Sequence, residues 1–435
     1  MTGVLRACAV GVLAIAGAVP TRSQEVVIAA GPAVVAEAQA AIDRLSASGG
    51  GTVRLPPGRH LLAAPLRLAS DVVVAGVPGE TVLVIGPGLE QPLAADAAQG
   101  ADTIELVAAG GFAVGDGVAV EDAAARGFHV STGTLAEQLG PVTFRLSAPL
   151  VHDYRIERRA RVVRAYPGIG GWNIHDAAVE DVAVEGTHGQ PESVFLDGCR
   201  GGGFYLFRCD RVALRRCVAR RVHGDGISFQ RCREILVEDC VAERNANAGL
   251  HPGAFSKSCT IRATVARDNG SYGLFVCVGV QHGTFAGNRL TGNGGCGISI
   301  GCLDTDNLFR DNLVADNAEA AVIFRRDSAD PFENAHRNVF EHNEFVANVG
   351  PRPARSNSRP DSEGRACVVI EGPHWGLVWR SNLFSGPPQT RRAGMLVDAA
   401  AAGLTVTDNR LVNVAPLIVI RPDAPPLPLA PAGRP

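Results

Sequence analysis

Apolar residues return along this chain on a fixed schedule. The segments "GFYLF" at Gly203, "GISFQ" at Gly226, "GLHPG" at Gly249, "GLFVC" at Gly273, "GISIG" at Gly297 and "AVIFR" at Ala321 follow one another at steps of 23, 23, 24, 24 and 24 residues. Each segment alternates apolar and small or polar positions, the period of a strand with two unlike faces. The first and third residues after the opening position form one face: Ile227 and Phe229, Leu274 and Val276, Ile298 and Ile300, Val322 and Phe324. The second and fourth form the other. A second column runs in register through Cys217, Cys240, Thr264, Asn288 and Asn312 to Asn343, Asn382 and Asn409, and a third through Asn245, Asn269, Asn293, Asn317 and Asn348.

A period in this range, with short strands and Asn at constant corners, predicts a solenoid. Leucine-rich and ankyrin patterns are missing, so the fold expected is all-β: a right-handed parallel β-helix in which each repeat is one coil and equivalent residues stack about 4.8 Å apart. Stacked Asn side chains would bond the next coil, which makes them architectural. Cys209 and Cys232 are equivalent positions one coil apart, as are Cys217 and Cys240; stacked thiols and inter-coil disulfides both fit this spacing, and small unbridged ladder residues are favoured. Nothing in the sequence pairs a cysteine with a base, so a catalytic cysteine is not expected. Toward the N-terminus, "AVVAEAQAAIDRLSASGGGTVRLPPG" reads as an amphipathic helix running into the first strand, and residues 25–96 as this cap plus the first coils. Residues 97–165 break the repeat with hairpin-like strands and are read as an inserted β module. Residues 166–420 carry the repeats, and the proline-rich 421–435 is read as a disordered end.

The helix followed by Gly49-Gly50-Gly51-Thr52-Val53 and Leu55-Pro56-Pro57-Gly58 resembles the pectin lyase-like β-helix superfamily. The resemblance runs from about residue 30 to 415. It implies activity on polysaccharides, as lyase, hydrolase or epimerase. Subfamily signatures are missing: there is no Asp-Asp pair or Asn-Thr-Asp, and no Arg-x-Pro-x-x-Arg. Asp330-Pro331-Phe332-Glu333 resembles the Asp-Pro-His-Asp of alginate epimerases with its His replaced.

Composition narrows the picture in three ways. The 51 glycines and 27 prolines beside two methionines favour turns and short strands over a helical bundle. A net charge of −3 gives no basis for a nucleic-acid surface. Residues 1–18, with Arg6, a short apolar run and Ala16-Gly17-Ala18, read as a secretory signal cleaved between 18 and 24. No later apolar run is long enough to span a bilayer, so a secreted or periplasmic monomer is expected, in which the ten cysteines after the leader are too scattered for a zinc site.

Chemistry must come from outward positions and the turns beside them, because inward side chains fill the core. The outward strip carries Tyr205, Phe207, Gln230, Phe275 and Ser299, with Gln281 in a following turn, a set suited to binding a sugar chain. His251 sits mid-strip beside Pro252 and Gly253 as a candidate acid or base. Arg325 is a candidate clamp for a uronate carboxylate. Asp225 departs from a column that otherwise holds Ala248, Tyr272, Cys296 and Ala320. Asp304, His282 and His336 complete the candidates. Asp304 and Asp306 could hold Ca²⁺. A loop at 350–365 with Arg352, Arg355, Arg359 and Arg365 could wall the strip. The leading expectation is a polysaccharide lyase, with Arg325 neutralising a uronate, His251 as base and His282 or His336 as acid. A hydrolase would use Asp225 and Asp304 as paired carboxyls, and a non-catalytic glycan-binding scaffold would leave these groups dispersed.

Overall fold

The computed structural model describes residues 24–421 apart from 125–128, 192, 197, 329, 349–365 and 388–391. The expected signal peptide, the four-arginine loop and the proline-rich tail lie outside the described residues. Three parallel sheets of twelve, eleven and eleven strands wind around one core. The first sheet runs from Glu25–Val27 to Thr405–Thr407, the second from Gly58–Leu62 to Arg410–Val412, and the third from Leu66–Arg67 to Ile418–Arg421. This is the β-helix that the repeat predicts. In the third sheet, Phe204 pairs with Ile227, then Leu250, Leu274, Ile298, Val322, Val368, Met395 and Ile418. A one-residue slip would turn every core side chain outward, so burial enforces the register.

The core is layered in the same way. Phe285, Phe309, Phe340 and Trp379 stack coil on coil with centroid separations of 4.8, 4.4 and 4.1 Å. At the corners, the amide of Thr264 donates to Asn288 Oδ1 at 3.0 Å, and Asn288 Nδ2 donates to Ile261 O and to Asn312 Oδ1, each at 3.0 Å. The Asn245–Asn348 column repeats the pattern. The thiols do the same job earlier in the column, since Cys217 N donates to Cys240 Sγ at 3.4 Å. All ten cysteines of the described region are free.

The N-terminal cap follows from local chemistry. Helix α1, Val34–Ala47, buries Val34, Ala38, Ala41, Ile42 and Leu45 against the first coil. The chain leaves it through Gly49 and Gly50 at φ 93° and 98°, values that only glycine adopts without strain. Gly51 then opens a strand where a Cβ would stand 2.7 Å from the carbonyl of Gln24. Between the strand Thr81–Ile85 of the second sheet and Ile169–Trp172 of the third, a six-stranded antiparallel module is inserted with its own core of Ile104, Val118, Val120, Phe144 and Tyr154. Its first strand is Glu90–Pro92, earlier than residue 97, because that strand pairs with Arg161–Val163. No helix among the described residues is long and apolar enough to cross a membrane.

Candidate active site

The outward face of the third sheet is where the candidates gather, but it is not an open strip. Leu196 and the stretch Gly198–Gly202 lie over its corner: Leu196 N donates to His223 O at 3.1 Å, and Asp225 N to Gly198 O at 3.3 Å. Thr187 Oγ1 meets His223 Nε2 at 2.9 Å, and burial holds that ring down at about 4, so His223 is a neutral structural contact. Tyr205, Ser228, Gln230 and Ser299 point outward yet are buried. The half-buried positions that open the face are Tyr272, Phe275, Cys277 and Arg325.

Asp225 stands two residues before its strand and is wholly buried. Its Oδ1 accepts from Ala248 N at 3.0 Å, and its Oδ2 meets His251 Nδ1 at 2.6 Å. Facing a carboxylate, Nδ1 must carry the proton. Burial alone would lower the pKa of this ring, but the Asp225 charge and hydrogen bond, with a further contribution from the Cys277 thiol, raise it to about 10. The ring is therefore an imidazolium at neutral pH. Its Nε2 is buried and has no hydrogen bond of good geometry. The edge of His251 meets Phe275 at 4.8 Å, and Tyr272 stacks on Phe275 at 4.8 Å.

Arg325 reaches in from two coils beyond. Its guanidinium lies 4.6 Å from the centroid of Phe275. Nη1 donates to Ser299 Oγ at 2.6 Å, Nη2 to Val276 O at 3.1 Å, and Nε to Asp327 Oδ2 at 3.3 Å. Gly301 is what lets it pass, since a Cβ there would stand 2.1 Å from Nη2. Two cationic groups thus flank one aromatic ring.

Other candidates fall elsewhere. Asp304 is not on the cleft surface: it is wholly buried, and its oxygens accept from Val280 N at 2.9 Å and Gly301 N at 2.8 Å. Burial raises its pKa to about 6 against the opposing pull of Arg325 and the two amides. Asp306 is clamped by Arg337 through two bonds of 2.7 and 2.6 Å. The two aspartates therefore do not converge as a Ca²⁺ site, and the one grouping of three metal-type ligands among the described residues is Asp71, His175 and Asp176. His282, Asp306 and Arg337 share a column because each takes the left-handed corner, at φ 56°, 61° and 52°. His282 is exposed there. His336 is buried and stacks on Trp375 at 4.4 Å. Gln281 bridges Lys257 and Thr305 in a turn ladder. Tyr205 and Phe207 stack with each other at 6.5 Å, on the strand two before that of His251. The fold joins Asp225, Gln230, His251, Phe275, Ser299 and Arg325, and leaves the rest apart.

One member of the cluster was passed over in the sequence. Cys277 is the fourth residue after Gly273, an outward position by the same rule that selects Arg325. Its thiol stands beside the His251 ring and within electrostatic reach of the Arg325 guanidinium. The alternation was the signal; the pairing with His251 crosses a coil and has no sequence motif.

Residues 169–314 and 253–367 match the family described as right handed beta helix region. No curated protein sequence matches the chain. Among solved structures, the mannuronan C-5 epimerase AlgE4 A-module of Azotobacter vinelandii is 14% identical, with 89% of this chain and 95% of that one covered at a TM-score of 0.51. The Dettilon tailspike protein is 12% identical, with 87% of this chain and 64% of that one covered at a TM-score of 0.52. These likenesses concern the fold, and they agree with the pectin lyase-like resemblance of the N-terminal motif.

Proposed function

We propose that this protein is a polysaccharide-active enzyme that cleaves a uronate-containing glycan by β-elimination. The observation that carries the reading is the pair of cations, the His251 imidazolium and the Arg325 guanidinium, set against one aromatic ring, Phe275, on the outward side of the third sheet: two positive groups suited to a carboxylate. The fold likeness to a module named for its action on mannuronan supports a carbohydrate substrate. In elimination, the uronate carboxylate must be neutralised, the proton on the adjacent carbon removed and the leaving oxygen protonated. Arg325 takes the first role. His251, held as an imidazolium by Asp225, suits the last, so it is read as the acid and not the base. A hydrolase with Asp225 and Asp304 as paired carboxyls is the weaker reading, because both are wholly buried and the oxygens of Asp304 are taken by backbone amides.

The test is a panel of acidic and neutral glycans incubated with the full chain, following ultraviolet absorbance of unsaturated uronate together with reducing ends. Both signals should grow on an acidic glycan and neither on neutral ones. Reducing ends without the absorbance would overturn elimination.

A further inference from the structure

Cys277 sits between two glycines of its column, Gly253 in the preceding coil and Gly301 in the next. Larger side chains lean over both. A Cβ on Gly253 would stand 2.7 Å from Gln230 Oε1, and one on Gly301 would meet Asp327 Oδ2 and the Arg325 guanidinium that it pairs with. The surroundings of the thiol thus include an amide, the Arg325–Asp327 ion pair and the His251 imidazole. Two buried polar atoms there, Gln230 Oε1 and His251 Nε2, make no hydrogen bond of good geometry, although the Cys277 thiol approaches the His251 ring. Buried polar atoms without partners are costly, and their persistence together marks a place built to hold something polar. The residue after the thiol, Val278, has φ 44° and is the one β-branched side chain among the described residues with a positive φ. Asp225 orients His251, and the Cys277 thiol stands against the same ring, a grouping of the kind that activates a cysteine.

We propose that Asp225, His251 and Cys277 form a relay in which a Cys277 thiolate, paired with the His251 imidazolium, removes the proton from the carbon adjacent to the uronate carboxylate. The inference rests on the elimination reading for its substrate. The thiolate takes the proton, forming S–H as C–H breaks. The freed electron pair becomes the ring double bond as the bond to the leaving oxygen breaks. His251 Nε2–H gives its proton to that oxygen. The neutral ring then takes the proton from the Cys277 thiol, which restores the ion pair, so that one proton has moved from carbon to oxygen and none is gained or lost. Asp225 is a positioning residue, and Arg325 holds the carboxylate that acidifies the carbon.

The test needs no substrate for its first arm. Cys302 is a half-buried thiol like Cys277, but burial and the charges of Asp327, Asp304 and Glu333 raise its pKa to about 12. Iodoacetamide labelling of the full chain at about pH 6, below the ordinary thiol range, should modify Cys277 at least about tenfold faster than Cys302, and His251→Gln should abolish that lead. An ordinary thiol pH profile at Cys277, unmoved by His251→Gln, would overturn the ion pair. In the second arm, Cys277→Ser should lower the rate of unsaturated product about 100-fold or more while thermal melting stays unchanged. A Cys277→Ser variant as fast as the parent would overturn the base role. If the parent forms no unsaturated product on any acidic glycan, the elimination reading and the base role fall together, and the labelling arm still decides the ion pair.

Discussion

Asp225 and Asp304 are both wholly buried carboxylates at coil corners, and both were drawn from turns as candidate catalytic groups. Their partners separate them. Asp304 gives its oxygens to two backbone amides, of Val280 and Gly301, and so closes a turn. Asp225 gives one oxygen to a backbone amide and the other to a side chain, His251, whose far nitrogen makes no hydrogen bond of good geometry. The same residue type at the same depth is an architectural part in one coil and, in the proposed relay, the root of a proton path in another. The thiols differ in a related way: Cys302 feels Asp327, Asp304 and Glu333 with Arg325 opposing them, while Cys277 stands against His251. Burial alone therefore says little about function; what the buried group aims at says most.

The largest expected effect comes from making the two carboxylates alike. Asp225→Asn removes the charge that holds His251 as an imidazolium, and should lower the elimination rate by about 10²- to 10⁴-fold while slowing the labelling of Cys277. Asp304→Asn should change that rate by less than tenfold, and equal losses in the two variants would erase the distinction drawn here.

A second difference is read in stability against pH. The native pKa of Asp304 is raised from 3.8 to about 6. Between those values the folded protein keeps a proton that the unfolded chain has released, so stability falls as pH rises through this window, by about 3 kcal/mol in all. Asp304→Asn should flatten that decline in denaturant titrations at a series of pH values. His251 is raised from 6.5 to about 10, so its contribution is full below 6.5 and is lost as pH climbs toward 10, which His251→Gln should flatten instead. Windows that overlap, or a decline at acid pH that survives in Asp304→Asn, would contradict the assignment.

The smallest effect belongs to the other thiol. Cys302→Ser should leave turnover unchanged and shift stability by no more than about 0.5 kcal/mol, measured by the same titrations.

Much of this was legible along the chain. The alternation assigned Ile227, Phe229, Leu274, Val276, Ile298 and Ile300 to the interior, and the Asn columns emerged as the hydrogen-bonded ladders at the corners. His251, Asp225, Phe275 and Arg325 were singled out from outward or aberrant column positions, and they meet. Cys277 was set aside although the same alternation points it outward, because no base accompanies it in the sequence and His251 lies 26 positions earlier. Asp304 was placed nearer the surface than it is, since a turn position does not show which way a short side chain folds. His282 and His336 were grouped with the cluster by proximity in the turns, but the first stands exposed at a left-handed corner and the second is occupied by Trp375.

Sequence by itself determined the solenoid, its register and the identity of the stacked columns, because a period of one coil forces equivalent residues to the same face and burial penalises any slip. Tertiary structure alone decided that the outward face is partly covered by Leu196 and Gly198–Gly202, that Asp304 turns into the backbone, and that Asp225 and Cys277 both stand against His251. Those outcomes depend on side-chain rotamers and on contacts between coils and loops, and such short-range geometry leaves no periodic trace in the order of residues.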